Sequence, residues 1–541
     1  MHATVAAAEP TEPVDPHLWL EEVAGEKPLA WVRERNARCL DALAGTDAFG
    51  KLEARMLSIL DSKEKIPFVT KIGDRYYNFW RDAQNPKGVW RRTTLEEYRK
   101  PEPAWETVLD VDTLAKAEGE NWVWHGAAVL EPEDRLCLVS LSRGGADADV
   151  VREFDLQAKA FVPGGFAVPE AKSRVAWRGR DALFVASDFG PGSLTTSGYP
   201  RTVREWTRGT DLAAAPLVYE GQAEDMLVSA YRDPTPGFER DFVFRQITFW
   251  TNEIFLRRDG QLVKIEKPAD ANASVHRGWL LVELRSPWAV GGQTYPAGSL
   301  LAADFEKFLA GDRTFHVLFA PGPRTSLVAF AGTRRHLLLT TLDNVRSRIE
   351  VLAFRDGDWV RAPLPGVPEA GTASVSAVDD IESDDYLLVT SSPLTPSTLS
   401  LGTAGDGREP GRLKASPTFF ETNGLEVEQH EAVSKDGTRI PYFQIGRRLL
   451  PADGSTPTLL YGYGGFEIPL VPGYDPVSGA AWLEHGHVLV IANIRGGGEF
   501  GPEWHQAALK ARRPRAYEDF IAVAEDLITR KVTSPRHLGI K

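Results

Sequence analysis

The sequence contains one short segment whose residue types could assist chemistry at a carbonyl group, Y-G-Y-G-G-F at positions 461–466. Backbone amides in a turn that follows a strand can donate hydrogen bonds to an oxygen that is gaining negative charge. Gly464 and Gly465 permit a tight turn and close approach of a substrate, and the Tyr463 hydroxyl could donate a further hydrogen bond. The segment predicts an oxyanion-binding turn, with a packed glycine-rich turn as the alternative.

A second glycine cluster, Arg495 to Glu499, follows the next apolar run. It lacks the lysine and the GxxxxGK[ST] spacing of a phosphate-binding loop. We expect a turn that shapes the floor of a pocket, with Arg495 and Glu499 paired or hydrogen-bonded to backbone. Among the eleven histidines, His505 is the best placed for chemistry, yet its Trp-His context favours a buried, hydrogen-bonded role over a general base.

These segments lie in a C-terminal region that alternates strands and helices. Residues 426–448 predict a β-hairpin with Asp436-Gly437 in its turn, followed by strand, helix, strand, helix and strand. This order is typical of the start of an α/β-hydrolase domain, in which a GxSxG elbow follows the fifth strand. No serine in the chain has glycine two positions before and two after it. We therefore expect the nucleophile, and the Asp and His of its triad, to lie beyond Lys541.

The middle of the chain, from about 66 to 420, consists of short apolar runs separated by Gly, Pro and Asp, which predicts strands. A polar residue or glycine followed by an apolar run recurs at intervals of roughly 44 to 60 residues, enough for a four-stranded blade. The seven starts are Asp74, Asp134, Asp181, Asp225, Gly278, Arg335 and Asp385. They predict a seven-bladed β-propeller, with a pair of β-sandwiches as the alternative. Aromatic residues such as Trp80, Trp90, Phe184 and Trp279 would pack between blades.

Three regions follow from these patterns. Residues 1–65 predict a helical segment that packs on the hydrolase domain, 66–420 the propeller, and 421–541 the first part of an α/β-hydrolase domain, ending before the elbow. The predicted fold class is thus a seven-bladed β-propeller plus an incomplete α/β-hydrolase domain, formed by the N-terminal helices and the C-terminal segment.

Composition narrows the range of partners. The net charge of −13 disfavours nucleic acid and anionic membranes, and no apolar run approaches the roughly 18 to 20 residues that span a bilayer. The N-terminus lacks a complete secretory signal, so a cytoplasmic location is expected, with a periplasmic one as the alternative. No HExxH or other close ligand pair occurs, so we expect no metal and no cofactor. Cys39 and Cys137 are expected to be buried apolar residues.

Taken together, the motifs resemble the prolyl oligopeptidase family of serine peptidases. The segments that carry the resemblance are DPHLWLEEV at 15–23, SKDGTRIPYF at 434–443, YGYGGFEIPL at 461–470, ANIRGGGEFGPEWHQAALK at 492–510 and YEDFIAVAEDLITRKVTSPRHLGI at 517–540. The family pattern continues with a serine elbow, so the chain resembles a C-terminally truncated member that would be inactive alone.

The resemblance implies a serine oligopeptidase that hydrolyses short peptides on the C-terminal side of proline through an acyl-enzyme. It implies that Tyr463 helps to bind the oxyanion and that Phe466 lines the pocket for the residue before the scissile bond. A monomer is expected for the complete protein. The alternative from a different class is a non-catalytic propeller scaffold that binds peptides or partners on its ring face.

Overall fold

The structure is a computed structural model that describes residues 15–541. Contacts divide the chain into two compact units, Met1–Leu60 and Asp61–Lys541. In the first unit, α1 (Glu26–Leu43) and α2 (Asp47–Leu60) are the helices that the apolar spacing predicts. Cys39 lies on α1 and is exposed, so its predicted burial is wrong, because α1 leaves nearly all of its surface accessible; Cys137 is buried. The packing of residues 1–65 on the hydrolase domain stays a prediction.

Within residues 15–541, the second unit contains seven antiparallel sheets of four or five strands that follow one another along the chain. Blade 1 comprises β1 (Thr70–Ile72), β2 (Arg75–Trp80), β3 (Val89–Thr93) and β4 (Glu106–Asp110), with α3 (Leu95–Tyr98) before β4 and α4 (Val111–Glu118) after it. Blade 2 comprises β5 (Trp122–Val129), β6 (Leu136–Arg143), β7 (Asp149–Asp155), β8 (Ala160–Phe161) and β9 (Ala167–Ala171). Blade 3 comprises β10 (Arg174–Gly179), β11 (Ala182–Ala186), β12 (Thr202–Thr207) and β13 (Leu217–Glu220).

The remaining blades repeat this plan. Blade 4 comprises β14 (Leu227–Asp233), β15 (Arg240–Gln246), β16 (Asn252–Arg258) and β17 (Gln261–Lys264). Blade 5 comprises β18 (Asn272–His276), β19 (Trp279–Glu283), β22 (Leu300–Asp304) and β23 (His316–Phe319); a hairpin of β20 (Trp288–Val290) and β21 (Gln293–Tyr295) is inserted, and α5 (Phe305–Leu309) follows β22. Blade 6 comprises β24 (Thr325–Gly332), β25 (Leu337–Asp343), β26 (Arg346–Arg355) and β27 (Asp358–Pro363). Blade 7 comprises β28 (Thr372–Ala377), β29 (Asp385–Ser392), β30 (Thr395–Thr403) and β31 (Gly411–Ala415).

The predicted seven-bladed propeller is thus confirmed, with one error in its register. Six of the seven predicted starts precede the second strand of a blade, but Asp225 precedes β14, the first strand of blade 4. Both β14 and β15 are apolar enough to match the pattern. Asp225 instead closes the turn before the blade, since it accepts hydrogen bonds from the Gln222 amide at 2.6 Å and from Arg245 Nε at 2.8 Å.

Apolar clusters between neighbouring blades form the propeller core. Trp90 belongs to a buried cluster that joins blades 1 and 2, and Phe184 to one that joins blades 3 and 4, as predicted. Trp279 packs against the cluster between blades 5 and 6. Burial of such side chains contributes about 25 cal/mol per Å² of apolar surface, which holds each sheet against the next.

A mixed five-stranded sheet follows the propeller. It comprises β32 (Leu425–Val433), β33 (Arg439–Arg447), β34 (Thr458–Gly462), β35 (Val488–Ala492) and β36 (Leu538–Ile540), in the order β32-β33-β35-β34-β36. The first two strands form the predicted hairpin, and β34 runs parallel to β35 and β36. The helices of this region are α6 (Pro476–Ala481), α7 (Pro502–Gln506) and α8 (Pro514–Thr529).

One face of α8 covers this sheet. Val523 and Leu527 are fully buried with Tyr442, Leu460 and Val490 in the largest apolar cluster of the C-terminal region, as expected for a helix packed on parallel strands. The architecture is that of an α/β-hydrolase sheet joined to a propeller. No helix within residues 15–541 combines the length and the apolar character needed to cross a membrane.

Candidate active site

Tyr463 lies directly after the carboxyl end of the parallel strand β34. Its side chain is 39% exposed, and within residues 15–541 its hydroxyl forms no hydrogen bond with a protein group. A phenol in this position can donate its proton to an external acceptor without first breaking an internal contact. The structure therefore leaves the Tyr463 hydroxyl available to a ligand at this edge of the sheet.

The next residues adopt a strained backbone. Phe466 and Glu467 have φ values of 52° and 58°, a left-handed conformation that bulky residues rarely adopt and that costs on the order of 1–3 kcal/mol for each residue. The turn leaves Phe466 57% exposed, an unusual state for a phenylalanine beside a cavity. Such strain persists only where surrounding contacts fix the conformation.

Contacts from both the propeller and the C-terminal region fix this turn; within the C-terminal region, the Glu467 amide donates to His505 Nδ1 at 3.0 Å. Phe466 packs edge-on against Phe249 at 5.2 Å between ring centroids. Glu467 forms an ion pair with Arg285, whose guanidinium lies 3.3 Å from the ring centroid of Trp250. Burial raises the pKa of Glu467, although Arg285 opposes the shift. Blades 4 and 5 thus hold the loop that presents Phe466.

The glycine-rich segments 461–466 and 495–499 approach each other closely, which is possible because glycine has no side chain. A Cβ at Gly496 would overlap the carbonyl oxygen of Gly464, and a Cβ at Gly498 would overlap the carbonyl oxygen of Glu467. Gly464 also has a φ of 56°, which glycine adopts without steric cost. The glycines of both segments are therefore explained by close backbone approach beneath Tyr463 and Phe466.

Arg495 anchors this pair of turns to the rest of the C-terminal region. Its Nε and Nη2 donate to both carboxylate oxygens of Asp519 on α8, at 2.9 and 2.7 Å, and its Nη1 donates to Asp436 at 2.6 Å. Asp519 is fully buried and also accepts a hydrogen bond from the Ser434 hydroxyl at 2.7 Å. The Arg495 guanidinium holds the pKa of the Asp436 carboxyl far below its usual range.

Glu499 is not the partner of Arg495. Its Oε1 accepts hydrogen bonds from the Leu470 amide at 2.9 Å and from Asn493 Nδ2 at 3.2 Å. Burial raises the pKa of Glu499 to about 7, and within the described chain its Oε2 has no hydrogen-bond partner. Of the two predicted arrangements, the bond to backbone is therefore the one that Glu499 makes.

His505 has the buried role predicted for it. Its side chain is 1% exposed, and its Nδ1 lies 2.5 Å from the carbonyl oxygen of Gly496. The backbone N–H of Glu467 donates a hydrogen bond to the same Nδ1 at 3.0 Å, so the imidazole links the two glycine-rich turns. Burial lowers the pKa of His505, which favours the neutral ring. The imidazole packs against Trp250 at 5.1 Å between centroids and so supports the turn rather than facing a substrate.

An exposed phenol in this position can donate a hydrogen bond to a carbonyl group and polarise it. An exposed phenol and an exposed aromatic ring stand at the carboxyl end of a parallel strand, beside a propeller that contributes Phe249 and Arg285. Among residues 15–541, no group of three or more His, Cys, Asp or Glu side chains is arranged to hold a metal ion. Fold and site define an α/β-hydrolase sheet whose loop after β34 is in contact with a β-propeller.

Comparisons with known proteins agree with this class. Residues 2–276 match the model of the prolyl oligopeptidase N-terminal β-propeller domain, and residues 476–541 match that of the prolyl oligopeptidase family. An uncharacterised peptidase of Sinorhizobium fredii is 39% identical over 537 residues, which is 97% of this chain and 74% of the relative. The chain therefore belongs to the prolyl oligopeptidase family of serine peptidases.

Two further proteins are similar over nearly the whole chain. A prolyl endopeptidase of Elizabethkingia miricola is 26% identical over 553 residues, covering 97% of this chain and 72% of that protein. The structure of a post-proline cleaving enzyme from Rickettsia typhi superposes with a TM-score of 0.91 at 30% identity, covering 96% of this chain and 78% of that one. The chain thus spans about three quarters of the relatives it matches.

Sequence patterns located only one side of the site. Tyr463 and Phe466 were predicted from one continuous segment, and the structure places both on the exposed edge. Phe249, Trp250 and Arg285 escaped prediction because they lie on loops of blades 4 and 5, about 200 residues away along the chain. Phe249 and Trp250 form an aromatic pair in the loop between β15 and β16. Such a pair does not by itself distinguish a binding site from an ordinary surface loop.

Proposed function

We propose that this protein is a serine oligopeptidase that hydrolyses short peptides on the C-terminal side of proline. In this proposal the Tyr463 hydroxyl donates a hydrogen bond to the carbonyl oxygen as it becomes an oxyanion. Phe466 lines the pocket for the residue that precedes the scissile bond, and a Ser-Asp-His triad beyond Lys541 supplies the nucleophile and its base.

The observation that carries the proposal is the availability of the Tyr463 hydroxyl at the end of β34, next to the strained Phe466 turn. A donor aimed at a site of developing charge stabilises the transition state more than the ground state. A flat, exposed phenylalanine ring suits the flat pyrrolidine ring of proline. The similarity to a protein described as a post-proline cleaving enzyme supports the same specificity.

A fluorophosphonate probe tests the acyl-transfer part, since it labels only an activated serine. We expect no labelling of the 541-residue chain and stoichiometric labelling of a form that continues through the elbow and the later Asp and His. Labelling of the 541-residue chain would place the nucleophile elsewhere. A continued form that stays unlabelled would favour the non-catalytic scaffold.

Substrate preference requires a separate measurement. Peptides that differ only in the residue before the scissile bond, with proline, alanine or arginine there, are compared by kcat/KM in the continued form, with no probe added. We expect proline to be preferred by at least about tenfold, the discrimination that a fitted apolar pocket provides. Equal values for proline and arginine would contradict the post-proline specificity while leaving the serine peptidase intact.

A further inference from the structure

A basic pocket lies on the outer edge of the propeller, where blades 1 and 7 meet. The cavity has a volume of 830 Å³, which falls within the roughly 300–1,000 Å³ of small-ligand sites. We call it the seam pocket. Its cationic side chains are Lys63, Lys65, Arg91, Arg99, Arg412 and Lys414, and its acidic ones are Glu64, Asp82 and Glu102. This local excess of positive charge is opposite to the net charge of −13 of the whole chain.

Arg91 is the most firmly held of these cations. Its guanidinium lies between two indole rings, 4.5 Å from the centroid of Trp80 and 4.3 Å from that of Trp105. Its Nε donates to Asn78 Oδ1 at 2.9 Å, and Asn78 is itself fixed by a bond to the Phe68 carbonyl at 2.8 Å. Stacking and one hydrogen bond thus fix the plane of the guanidinium, which preorganises its remaining N–H groups.

Charge compensation inside the seam pocket is incomplete. Within the described residues, no carboxylate lies within ion-pairing distance of Arg91, Arg99, Arg412 or Lys414. Asp82 is already occupied, because it accepts hydrogen bonds from Trp80 Nε1 at 3.0 Å and from the Gln84 and Asn85 amides at 2.9 Å. Burial lowers the pKa of Arg91 to about 10 and also lowers the pKa of Lys414. Lys414 donates to the carbonyl of Lys100, which carries no net charge to offset the ammonium. A partly buried cation without a carboxylate partner gains most from an external anion.

The cations lie on two separate blades. Arg91 is on β3 and Arg99 follows α3, both in blade 1, whereas Arg412 and Lys414 are on β31, the outermost strand of blade 7. A single carboxylate is too small to reach both sides of a cavity of this volume. A chain of phosphate groups supplies several charges and several acceptor oxygens along its length.

We infer that the seam pocket is a binding site for a small ligand that carries several phosphate groups and contacts both blades. Arg91 would bind one phosphate through its fixed N–H edge, while Arg412 and Lys414 would bind another from the facing strand. The site lies on the outer edge of the ring and uses none of the residues near Tyr463. Its occupancy is therefore independent of the proposed peptidase reaction.

Calorimetric titration of the 541-residue chain with tripolyphosphate tests this site. We expect one ligand to bind per chain, with affinity that falls as NaCl is raised because the contacts are ionic. The variant Arg412→Ser removes an exposed charge from one side and should weaken binding about tenfold. Arg355→Ser, which removes an exposed charge from blade 6 outside the pocket, is the matched control and should leave affinity unchanged.

The variant Arg91→Lys keeps the charge but loses the planar stack, and it should also weaken binding about tenfold. If ATP binds as tightly as tripolyphosphate, the pocket recognises the phosphate chain alone, whether that chain is part of a nucleotide or free inorganic polyphosphate. Three results would overturn the inference: no binding of tripolyphosphate, equal weakening by Arg412→Ser and Arg355→Ser, or citrate binding as tightly as tripolyphosphate. Arg412→Ser keeps the test decisive if Arg91→Lys folds poorly.

Discussion

The hydroxyl of Tyr463 has a chemical role in the proposed reaction and no structural one. Because it forms no hydrogen bond within the described chain, its removal in Tyr463→Phe should leave the melting temperature unchanged. In the form of the enzyme that carries its triad, kcat should fall about 10²-fold with little change in KM, the usual cost of one lost oxyanion donor.

The matched control for this change is Tyr461→Phe, two residues earlier in β34. The ring of Tyr461 lies 5.4 Å from the Lys541 ammonium and lines a separate cavity with Tyr474 and Leu483, so its hydroxyl should be dispensable. Steady-state kinetics on a fluorogenic peptide measure both variants. An equal loss of kcat in the two variants, or no loss in Tyr463→Phe, would exclude the proposed role.

Glu499 makes stability depend on pH. Burial raises its pKa from the ordinary 4.5 to about 7, so between these values the folded state holds a proton that the unfolded state has lost. Stability from this residue is therefore present at low pH and is lost as the pH rises through about 7. Full deprotonation costs on the order of 3 kcal/mol.

The variant Glu499→Gln, which stays neutral, should match the wild-type protein near pH 5 and exceed it in urea midpoint at pH 8. Glu503→Gln on α7 is an exposed control and should show no such divergence. A wild-type midpoint that rises relative to Glu499→Gln between pH 5 and pH 8 would show that the carboxylate is ionised in the fold.

At the scale of elements, one buried ion pair joins a hairpin, a turn and a helix. Arg495 is 4% exposed and binds Asp519 of α8 and Asp436 of the β32–β33 turn. Breaking a buried pair by removing one partner leaves an uncompensated charge and costs about 3–5 kcal/mol. Asp519→Asn should therefore lower the urea midpoint of the C-terminal region.

The comparison variant is Glu525→Gln, an exposed carboxylate on the same helix. It changes charge equally but breaks no buried contact, so it should change the free energy of unfolding by less than about 0.5 kcal/mol. Hydrogen exchange at 495–499 should quicken in Asp519→Asn alone. Similar midpoints for the two variants would mean that helix packing, not the ion pair, holds the turn.

Elements were more predictable than their register. Alternating apolar runs identified the second strand in six blades, and the hairpin at Asp436-Gly437 was predicted from its turn residues. The pattern failed at Asp225 because two consecutive strands of blade 4, β14 and β15, are both apolar and both follow an acidic or basic residue. Periodicity reports that a strand is buried, not which position it occupies in a blade.

The site was less predictable than the elements, for a related reason. The Arg495 partners, Asp436 and Asp519, lie 59 and 24 residues away along the chain, so a local pattern cannot pair them. Trp80 was expected between blades, yet one face of it stacks on Arg91 in the seam pocket. Local sequence specifies strand, turn and exposed motif, whereas charge pairing depends on which elements the topology brings together.

For the molecule as a whole, the propeller and the C-terminal region meet through a small number of polar contacts. Ser326 donates to the carbonyl of Glu499 at 2.9 Å, Gln506 donates to the carbonyl of Arg285 at 3.0 Å, and Arg324 pairs with Glu431 at 2.5 Å. A cavity of 550 Å³ is lined by both parts, with Ser326 from the propeller and Glu467 and Arg495 from the C-terminal region. The propeller thus contributes to the walls of a cavity beside the Phe466 turn.

Arg285–Glu467 and Arg324–Glu431 are ion pairs across this interface, and the first contacts the Phe466 turn. Arg285→Gln removes the ion-pair partner of Glu467, so the strained turn loses one of the contacts that fix its left-handed backbone. Amide exchange at 464–468 should become at least about tenfold faster, which corresponds to a local opening about 1.4 kcal/mol easier. In the active form, KM for a proline peptide should rise because Phe466 is no longer held.

Arg324→Gln is the matched control. It removes the same charge as Arg285→Gln but breaks a different ion pair, Arg324–Glu431. Since Glu431 lies on β32, far along the chain from the turn, exchange at 464–468 should keep its wild-type rate. If both variants increase the exchange rate at 464–468 equally, losing either ion pair destabilises the whole interface. The specific role proposed for Arg285 would then be wrong. If neither does, the turn is held by its own packing and by Phe249, and the propeller positions Phe466 through apolar contact alone.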